Sequence, residues 1–198
     1  MSIVVEHEKR RREILERALD VFMDEGFDDV TFQKIADRCG ITRTTLYIYF
    51  KNKKEIFNFS IKQFLQGLED DILQIRKIKE ISIKEQLIHV MSIIIDRLEE
   101  NKRLLIVVLN YLSYISKGEH DPNYRVRRRT VRLRHITNAI LIEGIRAKEF
   151  ASVNVKEANE ALYGFIEAAI FRLAILHHNN IGSLKNAMLM IINQLSVK

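Results

Sequence analysis

The chain has 198 residues, of which 47% are hydrophobic and 29% are charged, and its formal net charge is +6. This length allows one sizeable core or two smaller ones. A single cysteine excludes an internal disulfide and a cysteine-rich metal site, and one proline with seven glycines leaves few helix breakers. Apolar residues recur at helical spacing without alternating strand patterns, so we predict an all-α fold. With no long uncharged apolar run, we expect a soluble, cytoplasmic chain.

The excess positive charge is concentrated in one segment. Between Asp121 and Lys148 there are eight basic and two acidic residues, which accounts for the whole excess. Residues 1–55 are neutral on balance, with eleven basic and eleven acidic residues. Net charge therefore says little about nucleic-acid binding, and only the placement of particular side chains can indicate it. The role of the basic run Arg125–Arg134 stays open.

The first predicted helix spans about residues 8–25. Ile14, Ala18 and Phe22 lie at i, i+4 and i+8 spacing and form one apolar stripe along it. Gly26 provides a natural stop, because glycine readily adopts the left-handed conformation that follows many helices.

Two short helices separated by a Gly-Ile turn are predicted next. Thr31 is a candidate N-cap for the second helix, which ends at Gly40. Thr42 is a candidate N-cap for the third helix, over residues 43–50. Ile41 is expected to fill the angle between them. This arrangement matches a helix-turn-helix.

The rest of the chain is predicted to form six longer helices, several of them with capping signals at their starts. These span about residues 52–75, 82–100, 103–116, 121–147, 155–178 and 183–196. The capping signals are Asn52 with Glu55, Ser82 with Glu85, Asp121 with Pro122, and Asn154 with Glu157. The prediction is thus about nine helices. They form an N-terminal three-helix domain, residues 1–52, and a C-terminal helical bundle, residues 53–198.

The stretch GITRTTLYIYFKNK, residues 40–53, leaves polar and aromatic side chains on the outward faces of the third helix. Arginine at a helix N-terminus can donate two hydrogen bonds to guanine, and threonine offers a hydroxyl and a methyl group to base edges. Tyrosine hydroxyls and lysines can contact phosphates. The alternative is that the tyrosines only pack and the threonines are a solvated face. The stretch indicates a surface that reads the major groove of DNA.

The block from Arg11 through Phe57, with GFDDVTFQKIADRCGITRTTLYIYFKNKKEIF at its centre, resembles the N-terminal domain of the TetR family of transcriptional regulators. The resemblance is close over the first quarter of the chain. Beyond Phe57, only the layout of the helices is similar. It implies a homodimer that binds successive major grooves of a near-palindromic operator, and a C-terminal ligand that releases the DNA. The residues that match family DNA contacts are Thr31, Gln33, Arg43, Thr44, Thr45, Tyr47, Tyr49 and Lys53. Cys39 falls on an apolar position and is expected in the core.

Polar side chains among many apolar residues of the C-terminal part are candidate effector contacts. They are Arg129, Tyr111, Tyr114, His89 and Glu167. Arg129 falls within an apolar stripe, where a charge needs a partner such as the carboxylate or phosphate of an effector. A salt bridge to a nearby glutamate is the alternative. The adjacent pair His177 and His178 does not converge on a helix, so we expect no metal and no cofactor.

The last two predicted helices are unusually apolar. The segment EALYGFIEAAIFRLAIL, residues 160–176, combines small residues, which let helices approach closely, with large ones that fill the space between them. More apolar surface than a monomer needs favours a partner, and the resemblance implies a four-helix dimer interface. A monomer core that uses both helices is the alternative.

Three classes of function compete. The first is a repressor that a small, largely apolar effector releases from its operator, and an enclosed cavity beside Arg129 would favour it. The second is a DNA-binding regulator controlled by a protein partner through its last helices, without a small-molecule effector, and a fully packed C-terminal core would favour that. The third, an enzyme, is not expected, because the sequence lacks a nucleophile elbow, an HExxH motif and a phosphate loop.

Overall fold

The computed structural model describes the backbone of residues 2–115 and 123–197 and the side chains of residues 5–112 and 132–197. Within these ranges the chain forms nine α-helices and no strand, which confirms the predicted all-α class. The helices are α1 Ser2–Asp29, α2 Phe32–Cys39, α3 Arg43–Tyr49, α4 Lys53–Ile75, α5 Ile83–Glu100, α6 Lys102–Ile115, α7 Asn123–Arg146, α8 Val155–Ala174 and α9 Gly182–Gln194. Of the helices described, none combines the length and hydropathy of a membrane span.

The chain divides into two compact units, Met1–Gly67 and Leu68–Lys198. The sequence predicts a division after residue 52, at the start of α4, and the structure places it later, within that helix. The reason is that the beginning of α4 is buried in the first unit, where the Ser60 hydroxyl donates to the carbonyl of Leu15 at 2.8 Å.

Helix α1 is longer than the sequence predicts. It begins at Ser2 instead of near residue 8, because no glycine or proline interrupts its first residues. At its other end, Gly26 has φ 80° and ψ 168°, which breaks the helical path before it resumes up to Asp29. Only glycine enters this region without steric cost. The predicted stop at Gly26 is therefore a break within α1.

Aromatic side chains form the centre of the first unit. Phe22 on α1 meets Phe57 on α4 edge to face, with 4.9 Å between the ring centroids. The guanidinium of Arg11 lies over the rings of Phe50 and Phe59, at 5.1 Å and 4.3 Å from their centroids. Truncating a fully buried phenylalanine typically costs about 3–5 kcal/mol, so these contacts are a major source of stability in the unit. They tie α1 to the end of α3 and the start of α4.

Helix α5 is the centre of the second unit and packs against α6, α7, α8 and α9. Its most buried apolar side chains are Leu87, Val90, Met91, Ile94 and Ile95.

The predicted capping box of Ser82 and Glu85 is present at the start of α5, and the hydrogen bonds from Ser82 lower the pKa of the Glu85 carboxyl. Glu149 adds a second cap, because its carboxylate accepts from the N–H groups of Ile83 and Lys84 at 3.1 Å and 2.9 Å. The orphan N–H groups of this helix end are thus paired from two directions.

Helix α8 ends at Ala174, several residues before the predicted position. The N–H groups of Ile175 and Leu176 both bond to the carbonyl of Phe171, at 3.0 Å and 3.1 Å, which closes the last turn. His177 then has φ 54°, so the chain leaves the helical path. At the start of α8 the predicted cap is present, because the Asn154 side chain accepts from the backbone. The cap predicted at residue 121 lies outside the described residues.

A buried polar cluster joins α7 to α8. The hydroxyl of Thr137 donates to the side-chain oxygen of Asn159 at 2.6 Å. The Asn159 amide donates to the carbonyl of Arg134 at 3.1 Å and to the side-chain oxygen of Asn138 at 2.7 Å. Buried polar groups are costly unless they are hydrogen-bonded, so the cluster stabilises one register of α7 against α8.

We expect Asn159→Ala to lower the free energy of unfolding by about 1–3 kcal/mol, because it removes the shortest bond of the buried Thr137 hydroxyl and the amide that donates to Arg134 and Asn138. Asn186→Ala, which removes an exposed asparagine from α9, is the control and should change that free energy by less than about 0.5 kcal/mol. Urea unfolding of both variants measures the difference. Equal effects would show that the buried cluster adds nothing to stability.

Candidate nucleic-acid interface

Helices α2 and α3 form a helix-turn-helix whose turn depends on Gly40. This residue has φ 65° and ψ 35°, in the left-handed region that favours glycine. Its N–H donates to the carbonyl of Asp37 at 3.1 Å, and the N–H of Ile41 donates to the carbonyl of Ala36 at 3.0 Å. An added Cβ at Gly40 would meet nothing within 4 Å, so backbone conformation, and not space, requires glycine here.

Both short helices carry the predicted threonine caps. The hydroxyl oxygen of Thr31 accepts from the N–H of Lys34 at 3.2 Å, and that of Thr42 accepts from the N–H of Thr45 at 3.0 Å. Such caps typically contribute about 0.5–2 kcal/mol relative to alanine, which matters for helices of eight and seven residues. The Thr45 hydroxyl also lies 2.8 Å from that of Thr42, so these two side chains orient each other.

One face of α3 is buried and the other is free for a partner. Leu46 and the C-cap residue Phe50 are almost fully buried against the first unit. The exposed residues of the helix are Arg43, Thr44, Tyr47 and Ile48, while Thr45 and Tyr49 are half-buried. The side chain of Ile48 is 69% exposed and lies on this outer face.

Arg43 is held in place by aromatic neighbours. Its Nη2 donates to the Tyr47 hydroxyl at 3.2 Å, and its guanidinium carbon lies 5.6 Å from the centre of the Tyr47 ring. The Tyr47 ring in turn packs against Phe32, with 4.5 Å between the centroids. An arginine side chain has five N–H donors, so this contact orients Arg43 while leaving donors for a base.

The remaining predicted contacts have different surroundings. Tyr49, at the end of α3, stacks on His7 of α1 with 4.5 Å between ring centroids and 24° between ring planes. Gln33 is exposed near the start of α2, and its amide donates to the Asp37 carboxylate at 2.7 Å. Thr31 is exposed beside it. Thr31 and Gln33 therefore lie at the start of α2, and Tyr49 lies at the end of α3, all within the first unit.

Lys53 is used inside the protein. Its ammonium donates to the carbonyls of Phe27 and Asp28, both at 2.8 Å, and to that of Val30 at 3.0 Å. A lysine has three N–H donors, so these bonds leave none for a phosphate. This geometry argues against the predicted phosphate contact, and Lys53 instead ties the start of α4 to the segment before α2.

Cys39 lies in the core of the first unit, as the sequence predicts. Burial raises the pKa of its thiol, and the sulfur is 3.9 Å from the carbonyl oxygen of Ile14. The thiolate is the reactive form of cysteine, so a raised pKa together with burial makes this thiol unreactive.

The family model for bacterial regulatory proteins, tetR family, matches residues 14–58. The chain is 27% identical over 167 residues to the fatty acid metabolism regulator protein of Bacillus subtilis (strain 168), covering 80% of each protein. A solved TetR transcription regulator from Haloarcula marismortui superposes with a TM-score of 0.84 at 18% identity, over 96% of this chain and 100% of that one. The fatty acid degradation regulator FadR from Bacillus halodurans gives a TM-score of 0.72 at 17% identity, over 92% and 94%.

The chain carries, over residues 14–58, the domain of the tetR family of bacterial regulatory proteins. It is a DNA-binding transcriptional regulator and not an enzyme. The matched region contains the whole of α2 and α3 and ends inside α4. The region that matches the family model therefore includes the helix-turn-helix described above.

Of the five candidate effector contacts, three have side chains within the described residues. The side chains of Arg129 and Tyr114 lie outside them. Tyr111 is buried on α6, whereas His89 is exposed on α5. Glu167 is exposed on α8, where its carboxylate lies 3.8 Å from a nitrogen of Arg134.

A surface groove of about 490 Å³ runs along α5 in the second unit. It is lined by Ile75, Ile88, His89, Ser92, Ile93, Asp96, Arg97 and Glu100. His89 belongs to this lining, but Tyr111 and Glu167 do not. The groove combines isoleucine side chains with a charged rim and is open to solvent.

Two arginines of the basic run are paired within the second unit. Arg132 lies 3.2 Å from the carboxylate of Glu69, which is almost fully buried. The guanidinium of Arg134 lies 4.3 Å from the centre of the Tyr163 ring and forms an ion pair with Glu160. That pair lowers the pKa of the Glu160 carboxyl. These two positive charges therefore serve internal contacts.

Sequence reasoning missed two contacts beside the interface. The first is the stack of His7 on Tyr49, which an unbroken helical pattern before residue 8 could have signalled. The second is the set of carbonyls around Lys53, for which the sequence carries no signal, because carbonyl positions depend on the tertiary fold.

We expect Lys53→Met to leave the slope of log DNA affinity against log salt unchanged, because the Lys53 ammonium already donates to three carbonyls. Lys51→Met is the matched control on an exposed neighbour, and it should flatten that slope by about 0.9 for each bound domain if Lys51 contacts a phosphate. Titrations by fluorescence anisotropy at several salt concentrations give both slopes. A flatter slope for Lys53→Met would show that Lys53 contacts a phosphate.

Proposed function

We propose that this regulator is a homodimeric repressor that binds a near-palindromic operator through α3 of each subunit. A small, largely apolar effector releases it from DNA. The observation that carries the DNA-binding part is the outer face of α3, where Arg43 is held by Tyr47 on a helix fixed by Gly40 and Thr42. A seven-residue helix supported from one side has the size and exposure to enter a major groove.

The polar and aromatic side chains of α3 and of the start of α2 have proposed roles. Arg43, at the N-terminus of α3, donates to a guanine, which is worth about 1–3 kcal/mol against a wrong base. Thr44 and Thr45 meet base edges through hydroxyl and methyl groups. The hydroxyls of Tyr47 and Tyr49 donate to phosphates. Thr31 and Gln33, at the start of α2, contact the backbone where that helix crosses it.

The dimer proposal is supported by an uncovered apolar stripe on α8. Its residues follow helical spacing and leave the core-facing side of α8 to other residues. Ala161, Gly164, Phe171 and the C-cap residue Ile175 are exposed, and Ala168 is half-buried. Phe171 is 53% exposed, and Met190 on α9 is 58% exposed. Small residues within such a stripe let a second copy of α8 approach closely, as an isologous interface requires.

The effector proposal is supported by the many apolar side chains of the second unit and by the names of similar proteins. Two of them are named as regulators of fatty acid metabolism or degradation. We therefore propose genes of fatty acid metabolism as the first targets to test, and fatty acids as the first effectors. Control by a protein partner, without a small molecule, is the alternative.

The proposed function is tested by selecting bound duplexes from a random DNA pool with the purified protein and sequencing them. A near-palindromic motif with half-sites about 10 base pairs apart, or a multiple of that, is the expected result for a dimer of helix-turn-helix domains. Enrichment of a single half-site would contradict the proposal that the protein binds as a dimer. If no duplex is enriched, the proposal that the protein binds an operator without a ligand is wrong.

Arg43→Ala should relax the base preference at one position of each half-site by about 1–3 kcal/mol, because it removes a paired donor to one base. Repeating the selection with the variant measures this loss position by position. Thr42 and Gly40 keep α3 folded in the variant, so binding to random duplexes should be much less affected. Equal losses on selected and random duplexes would exclude base reading by Arg43.

Phe171→Asp should convert the dimer to a monomer, because two copies of a charge would be buried where the stripes of α8 meet. Sedimentation velocity measures the change. Leu73→Asp, which places the same charge on another exposed apolar residue of the second unit, is the control and should remain dimeric. A dimeric Phe171→Asp variant would show that the interface lies elsewhere.

The two modes of control are separated by titrating the protein bound to its selected duplex with fatty acids of increasing chain length. Release that strengthens with chain length would support a largely apolar effector, since each buried methylene contributes about 0.8 kcal/mol. No release by any chain length would exclude fatty acids and leave the protein partner as the better candidate.

A further inference from the structure

The first turns of α1 reach the end of α3 through a pair of aromatic rings. His7 on α1 stacks on Tyr49, the last residue of α3, with 4.5 Å between ring centroids and 24° between ring planes. His7 is exposed and Tyr49 is half-buried. The contact therefore lies at the edge of the proposed DNA-binding face.

His7 continues the face of α1 that packs on the rest of the first unit. It lies four residues before Arg11, and residues four apart share one side of a helix. The Arg11 guanidinium covers the rings of Phe50 and Phe59 at 5.1 Å and 4.3 Å. Phe50 directly follows Tyr49, so Arg11 anchors α1 next to the residue that His7 contacts.

We propose that His7 is a positioning residue for DNA binding, whose imidazole ring holds the phenol of Tyr49 in the orientation in which its hydroxyl donates to a DNA phosphate. This inference rests on the proposed operator binding. Tyr47, two residues earlier, is oriented by Arg43 and Phe32, whereas the stack on His7 orients Tyr49.

The expected effect follows from conformational entropy. A surface tyrosine that is free to rotate loses that freedom when it binds DNA, whereas a stacked ring has lost most of it beforehand. Stacked aromatic pairs gain a modest additional attraction. Removing the stack should therefore weaken DNA binding by about threefold to tenfold for each bound domain.

The test uses the duplex that the wild-type chain recovers from the random pool and compares variants of both residues. His7→Ala should weaken binding by about threefold to tenfold per domain, whereas His7→Phe, which keeps a stacking ring, should stay within about twofold of wild type. In a Tyr49→Ala background, His7→Ala should have no further effect, because the residue on which it acts is gone.

Three results would overturn the inference. Unchanged binding by His7→Ala would show that the stack has no role. Losses that add in the double variant would show that His7 acts independently of Tyr49. A loss in His7→Phe as large as in His7→Ala would show that the imidazole itself contacts DNA.

Thermal unfolding distinguishes positioning by His7 from a contribution to stability. The midpoints of the His7 variants should stay well above the temperature of the binding measurement, because the stack is at the surface, and a His7→Ala variant that unfolds at that temperature would assign the lost binding to stability. If the wild-type chain recovers no duplex, operator binding itself fails, and the positioning role of His7 falls with it. If it recovers a duplex and the His7 variants bind it like wild type, operator binding stands and the positioning role is excluded.

Discussion

The burial of Leu46 and Phe50 is the contact on which the DNA-binding face depends. Helix α3 has seven residues, and isolated helices of that length are unstable in water. Its outer residues are arranged as a surface only because its inner ones are buried in the aromatic core of the first unit. The turn at Gly40 and the cap at Thr42 then fix where α3 begins. Recognition chemistry at the surface is therefore a consequence of packing beneath it.

Several positive charges of this basic chain serve internal contacts. Lys53 donates to three carbonyls before α2, and Lys102 donates to the carbonyls of His177 and His178 after α8, at 3.1 Å and 2.9 Å. Lysines that pair with carbonyls near helix ends stabilise the fold, since these groups lack helical partners. Arg11 similarly covers aromatic rings. Net charge is therefore a poor guide to how many cations face DNA.

The fold and the helix-turn-helix were predictable because their determinants are local. Gly40 needs a left-handed backbone, Thr31, Thr42 and Ser82 cap the helices that follow them, and apolar spacing identifies the buried faces. The role of Lys53 was not predictable in this way. Its acceptors lie more than twenty residues away, and neither composition nor spacing shows that a distant carbonyl will face an ammonium group. Among the candidate effector contacts with described side chains, His89 lines the groove along α5, whereas Tyr111 and Glu167 do not, and sequence spacing does not show which apolar stretch will border a groove.

The buried state of Cys39 makes the protein suitable for site-specific labelling. It is the single cysteine of the chain, and both its burial and its raised pKa keep the thiol from reacting under native conditions. A second cysteine introduced on the exposed face of α3, for instance at Ile48, would then be the accessible thiol. A fluorophore attached there reports directly on the environment of the DNA-binding face without first replacing a core residue.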